Sequence, residues 1–387
     1  MARSVRSLKA TTSFLLVSLA ASLLFFGTVA GAASASACSP WSIEGSPNVG
    51  TGNNDLLAVA ASSTCDAWAV GDYVNGAANQ TLAEHWNGSS WSVVSSLDVG
   101  AGNNFFAGVS DISASNAWAV GHYTSGTTDQ TLVEHWNGKT WSIVASPNMG
   151  TGNNGLSGIV AVSATNIWAV GGFENGSAEN TLVEHWNGKV WSIKASPNVG
   201  TGNNFLSSVS ADSATDAWAV GTHNNAAITQ TLIEHWNGKA WSVTASPNVG
   251  TSNNMLQGVA ATSAANAWAV GHYYNGSLYQ TLVEHWNGKA WSVKTSPNSG
   301  PSNNVLDGVA FASSTNGWAV GSFINGSVAN TLVEHWNGKA WSVESSPNVG
   351  TYTQTLEAVA ATSATDVWSV GFYYTGTANQ TLIEHCC

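Results

Sequence analysis

The sequence predicts an all-β fold, a seven-bladed β-propeller with four antiparallel strands in each 50-residue blade, and three observations predict it. The first is a period of 50 residues kept without insertion or deletion. Trp-Ala-Val-Gly stands at 68–71, 118–121, 168–171, 218–221, 268–271 and 318–321, and Trp368-Ser-Val-Gly371 is a seventh copy in register. A fixed period of this length marks one supersecondary unit reused many times, each unit burying its apolar faces against its neighbours. The second observation is period-2 patterning within each unit, punctuated by turn residues. The third is that the two ends of the chain complete one another. Residues 134–142 read Glu-His-Trp-Asn-Gly-Lys-Thr-Trp-Ser, whereas the chain stops at Glu384-His385-Cys386-Cys387 and resumes at Cys38-Ser39-Pro40-Trp41-Ser42. An N-terminal strand that finishes the last unit closes a ring and leaves no open edge, which a solenoid would not do.

The elements follow in chain order. Arg3, Arg6 and Lys9 precede an apolar run from Phe14 to Phe26, and small residues end in Ala35-Ser36-Ala37. That is the pattern of a secretory signal peptide over residues 1–37 with an Ala-x-Ala cleavage site. The run is shorter than the roughly 20 residues a spanning helix needs, so the expectation is export rather than membrane insertion. Residues 38–387 then form seven periods of 50, the propeller domain.

Within the second unit the strands are expected at 106–112, 116–123, 130–136 and 141–145. Ser-Ala-Ser-Asn, Thr-Ser-Gly-Thr and Asn-Gly-Lys turns separate them, and Asn137-Gly138 is a strong hairpin signal because both residues tolerate positive φ. All 20 Trp fall in three slots per unit, those of 68, 86 and 91, with Cys386 taking the one slot left over. Each buried Trp removes roughly 150–250 Å² from water, so these slots are expected to pack blade against blade.

In the third unit Trp168-Ala-Val-Gly171-Gly172 is followed by His185 and Trp191. This resembles the kelch repeat, which runs near 50 residues, with an apolar strand ending in a Gly pair and later an aromatic residue separated from a Trp. Only this unit has the Gly pair, and His stands where kelch repeats carry Tyr. The resemblance implies a kelch-like propeller that presents loops to protein partners. One branch, similar to galactose oxidase, is a copper enzyme.

Composition excludes several functions. Beyond residue 37 there are seven Lys and no Arg against 22 acidic residues, a formal charge of −15. Nucleic acid, anionic membranes and phosphate ligands are therefore not expected as partners. A sialidase-like site needs several Arg, and galactose-oxidase chemistry needs a Cys joined to a Tyr, yet no Cys lies between 66 and 385. Gly-x-Ser-x-Gly and His-Glu-x-x-His are absent as well.

Glu-His recurs seven times, from Glu84-His85 to Glu384-His385. Adjacent strand residues point to opposite faces, so the pair is read as structural, with a buried Glu accepting hydrogen bonds from backbone or indole N–H groups. No metal or other cofactor is implied.

Function is sought instead where the units differ. Two loops of each blade share a face, the Ser-Pro-Asn-x-Gly-Thr-x-Asn-Asn connection between blades and the turn after Trp-Ala-Val-Gly. The middle position of that turn carries Tyr73, Tyr123, Phe173, His223, Tyr273, Phe323 or Tyr373, a candidate ring of stacking residues for sugars or a partner. A second variable slot near the start of the innermost strand holds Leu57, Ala107, Ser157, Ser207, Gln257, Asp307 and Glu357. Gln257, Asp307 and Glu357 on successive blades give an acidic sector expected at the central channel.

In an exported chain, Cys38, Cys65, Cys386 and Cys387 are candidates for disulfides. Cys38 is expected to pair with Cys386 or Cys387, and Cys65 with the remaining partner. Lipidation of Cys38 is the rival fate, disfavoured by Ala35 three residues before it. The reading is a secreted, non-catalytic propeller binding a glycan or an extracellular protein through its variable-loop face. One alternative is an extracellular carbohydrate-active hydrolase or lyase using carboxylates such as Asp307 and Glu357 at the channel mouth; another is a purely structural cell-surface protein.

Overall fold

Strands account for every regular element in the computed structural model, which describes residues 40–387; the expected signal peptide and Cys38 lie outside those residues. Seven four-stranded antiparallel sheets follow one another as seven blades, and no helix occurs among the described residues. The second blade is built from Asn104–Ser113, Asn116–Ser125, Thr128–Trp136 and Trp141–Ile143, close to the expected spans apart from longer inner strands and a shorter outer one. In the last blade the strands Gln354–Ser363, Asp366–Tyr374 and Asn379–Cys386 are completed by Ser42–Glu44 from the N-terminal side. Ser42 pairs with His385 and Ile43 with Glu384, the register that His135 and Ser142 hold in the second blade. Strand pairing thus closes the ring.

Two backbone devices shape every blade. The Gly that ends Trp-Ala-Val-Gly is needed for close approach: a Cβ on Gly71 or Gly121 would lie 1.9 Å from the carbonyl oxygen of Asp55 or Phe105 on the inner strand. Directly opposite, the inner strand carries a β-bulge, between Leu56 and Ala58 in the first blade and between Phe106 and Gly108 in the second. A bulge leaves one residue unpaired and re-aims its side chain. The bulged residue is the variable slot of Leu57, Ala107 and their equivalents.

The apolar core is distributed over the seven blade interfaces. Trp68 and Val70 of the first blade pack with Phe106, Val109, Trp136 and Trp141 of the second, and Trp68 meets the rings of Trp136 and Trp141 at 5.0 and 4.8 Å. At the seam, Trp318 packs with Trp41 and with Cys386, which stands in the Trp slot. The tryptophans therefore join blades, as their spacing predicts.

The connection between blades is pinned by its own polar residues. Asn54 is fully buried, accepts the N–H of Val49 and donates to the carbonyls of Val49 and Gly52. The Asn before it works across blades, Asn103 accepting the N–H of Asn79 from the preceding blade. This loop is framework, which leaves the turn after Trp-Ala-Val-Gly as the freer element of that face.

Candidate functional site

The recurring Glu-His pairs are absorbed by the framework. All seven Glu are fully buried. Six of them accept a hydrogen bond from a Ser hydroxyl of the incoming connection, as Glu184 does from Ser146 and Glu84 from Ser46. The expected indole donors do not serve them, because the buried Trp rings face other rings. The seventh, Glu134, accepts the backbone N–H of Leu97, which stands where Pro occupies the other connections and has a donor that Pro lacks. Burial pushes each of these carboxyls up to about 8. The His turns the other way, packs against the ring of its own blade's Trp and contacts Asp or Asn at the start of the second strand, as His85 does Asp66 at 2.7 Å.

The aromatic positions of the candidate ring lie within the second strand of each blade rather than in the turn, because the ladder continues past them, and they are half-buried. Tyr73, Tyr123, Phe173, Tyr273, Phe323 and Tyr373 pack against the interface cores, and Tyr73 donates its hydroxyl to Gln80 at 2.7 Å. His223 is held below the usual imidazole range by burial. Strand alternation turns these side chains toward the preceding blade.

Gln257, Asp307 and Glu357 line the central channel with the other bulged residues, around a cavity of about 170 Å³. Ser207 donates to Gln257 at 3.3 Å. Burial, and then the charge of Glu357, holds the Asp307 carboxyl well above its usual range; burial, with a contribution from Asp55, raises Glu357.

A different cavity, of about 470 Å³, opens on the variable-loop face and draws on blades two, three and four. It exists because the third blade lacks two side chains that face one another across the ladder. Gly155 pairs with Gly172, where the second blade pairs Phe105 with a stacked His122 and the fourth pairs Phe205 with Thr222. A Cβ on Gly155 would meet nothing nearer than His122 at 3.8 Å, whereas one on Gly172 would come within 2.6 Å of Glu179 and 2.8 Å of Phe205, which lean into the vacated space. Glu179 lies directly opposite Glu174 in the adjoining ladder, between the second and third strands of the blade. Glu174 accepts the N–H of Asn153 at 3.2 Å, and burial together with the charge of Glu174 raises Glu179. His122 is held low by burial, against the pull of Asp129. The only trace of this site in the sequence is a Gly in both slots of one unit, Gly155 and Gly172, where the neighbouring units carry larger residues.

Of the seven Lys beyond residue 37, five sit in the Asn-Gly-Lys turns of the opposite face and the other two, Lys194 and Lys294, at the ends of outer strands. The cavity therefore has carboxylates and no cation. Among the described residues no group of three His, Cys, Asp or Glu is arranged to hold a metal ion, and no helix is long and apolar enough to cross a membrane. Cys65 and Cys387 are exposed free thiols, which corrects the expected pairing of Cys65. Cys65 instead packs on Gly88 of its own blade, in a slot that Ser115 and Thr165 fill elsewhere.

No family model matches the chain, and no curated protein matches it. Solved structures do match in fold. YCF48 bound to a D1 peptide matches with a TM-score of 0.54 at 13% identity, over 90% of this chain and 97% of that one. YCF48 from Cyanidioschyzon merolae matches at 0.55 and 14%, over 90% and 98%. An ulvan lyase from a new family of polysaccharide lyases, bound to a GlcA(1-4)Rha3S saccharide, matches at 0.54 and 10%, over 85% and 95%. What they share with this chain is the propeller. A fold hosts many functions, and these neighbours include a peptide binder and a lyase, so function is argued from this chain's own residues.

Proposed function

We propose that the protein is an exported, non-catalytic, kelch-like propeller that recognises a glycan or an extracellular protein through its variable-loop face. The observation that carries this reading is the 470 Å³ cavity on that face, lined from three blades and polar as well as aromatic in character. Concave sites with an apolar wall and a few convergent polar groups are where ligands bind. The repeated residues that resemble catalytic pairs are structural: Glu184 ties its blade to the incoming connection, and His185 packs on Trp168 and Asn166 of its own blade. The face carries no Lys or Arg, so an acidic saccharide such as the lyase's GlcA-containing one would find no counter-charge there. Export rests on the leader-like residues 1–37, and the kelch-like assignment on the Gly171-Gly172, His185 and Trp191 pattern.

The test is a glycan and peptide array probed with the protein and with two bulky substitutions at exposed turns. Ser177→Trp blocks the variable-loop face, and Lys189→Trp blocks the opposite one. Binding should be lost in the first and kept in the second. Equal loss in both, or no binding by the wild type, would overturn the reading. The enzyme reading has one observation behind it, the Asp307 and Glu357 pair in the channel, and predicts saccharide turnover that Asp307→Ala abolishes.

A further inference from the structure

The Gly155–Gly172 cavity has properties that narrow its ligand, on the reading that the variable-loop face is a binding surface. Its side walls are planar rings, His122 from one neighbouring blade and Phe205 from the other. Such walls accept the apolar face of a sugar ring. Its rim holds Glu174 directly opposite Glu179 in an antiparallel ladder, an arrangement of like charges that disfavours the sheet. No other blade has this pair: the equivalent positions are Val74 and Asn79, Thr124 and Asp129, Asn224 and Thr229, Tyr274 and Tyr279, Ile324 and Ala329, and Tyr374 and Asn379. Among the described residues, no side-chain donor reaches Glu179, and no Lys lies in the loops of this face. The void and the unneutralised carboxylates arise from different residues of the same blade and converge on one place.

We propose that this cavity binds an amino sugar with a free ammonium group, the ring lying between His122 and Phe205 and the ammonium meeting Glu174 and Glu179. A ring-sized space, two aromatic walls and two carboxylates without a cation match a ligand that is apolar on one face and positive at one substituent. Filling the site removes the repulsion between the two carboxylates, which gives the blade a reason to keep them.

The test is calorimetric titration at about pH 6, where an amine is protonated, using a glucosamine tetramer. An N-acetylglucosamine tetramer, a glucose tetramer and tetralysine are the comparators. The glucosamine tetramer alone should bind. Gly155→Phe, which installs the residue of the second and fourth blades, should abolish binding, and Glu179→Gln should weaken it about tenfold, the usual worth of one charge-assisted hydrogen bond. In the free protein Glu179→Gln should raise the melting temperature by relieving the like-charge pair, so a loss of affinity cannot be put down to misfolding.

Equal binding of the N-acetylated tetramer, or binding unchanged by Gly155→Phe, would overturn the proposal. Tetralysine binding that the same substitutions abolish would assign the cavity to a basic peptide and overturn the sugar. A different array ligand, lost in Ser177→Trp and kept in Gly155→Phe, would overturn this assignment while leaving the variable-loop face as the binding surface.

Discussion

Ser146 contacts both carboxylate oxygens of Glu184, at 2.9 and 2.8 Å, and Thr131 of the preceding blade at 3.0 Å, so one hydroxyl ties the connection to two blades at once. A hydroxyl has a single proton and cannot donate to Thr131 and Glu184 together. Donated to Glu184, that proton stabilises the carboxylate and pulls its pKa down. Burial is the larger effect and pushes this carboxyl up to about 8, which favours the neutral form.

Seven such acids make stability depend on pH. Each Glu rises from 4.5 to about 8 on folding, so the folded chain holds more protons than the unfolded one between those values, and stability falls as pH rises through that window. Below about 6.5, the lowered His122, His135, His185, His223, His272, His285 and His335 oppose this, because the unfolded chain then binds protons that the folded chain refuses. The unopposed loss lies between about pH 6.5 and 8. We expect the melting temperature to drop by several degrees across that interval, and Glu184→Gln to flatten the slope. A melting temperature that is level or rising from pH 6.5 to 8.5 would contradict the neutral-acid assignment.

Ala226 has a φ of 57°, in the turn position where Gly76, Gly126, Gly176 and Gly326 have φ between 67° and 69°. A side chain there is strained by roughly 1 kcal/mol, and the position is exposed with no packing to offset it. We expect Ala226→Gly to stabilise by about 1 kcal/mol and Gly126→Ala to cost a similar amount. Gly121→Ala should cost more than about 3 kcal/mol, because its Cβ would overlap the Phe105 carbonyl and core backbone yields little. Urea midpoints for the three variants would rank them; equal effects of Gly121→Ala and Gly126→Ala would contradict the close-approach argument.

The contrast between those two glycines marks what the sequence revealed. Both recur at the 50-residue period, so the blade count, the four strands and the seam at Ser42 and His385 could be read from repetition alone. That Gly121 faces a bulge could not, because a bulge adds no turn residue and shows only as a one-residue slip in the alternation, from Phe106 to Val109. The variable slot of Asp307 was therefore visible as variable before anything explained why it points into the channel. Tyr123 was visible as aromatic, but which blade it faces depends on ladder register. The Gly155–Gly172 cavity was hardest to read, since its two halves lie 17 residues apart and meet only across a strand pair.

Cys386 is disulfide-bonded and buried beside Trp41 and Trp318, whereas Cys65 and Cys387 are exposed free thiols. We infer that its partner is Cys38, the remaining cysteine, which would lock the strand that closes the ring. Native protein should take two maleimide labels, rising to four after reduction and unfolding. Cys38→Ser should cost roughly 2–5 kcal/mol, the usual loss for a native disulfide. Four labels on the native protein, or a lipid on Cys38, would rule the bond out.

Asp307 and Glu357 give the sharpest separation between the binding and enzyme readings. They occupy bulges of successive blades, the charge of Glu357 raises the cost of ionising Asp307, and the cavity they share is about 170 Å³. Placed on blades six and seven, they belong to another part of the ring from the cavity of blades two to four. If they are only neighbours in a narrow channel, removing one carboxylate relieves repulsion between buried groups. Asp307→Asn should then raise the melting temperature by about 2 °C, the shift expected from roughly 1 kcal/mol in a chain of this size, and leave ligand binding at the variable-loop face unchanged. If they are instead an acid and base acting on a glycosidic bond, the same substitution should abolish turnover with the fold intact. Polysaccharide depolymerisation assayed beside thermal melts of wild type and Asp307→Asn distinguishes the two, and turnover lost in the variant would reverse the non-catalytic assignment.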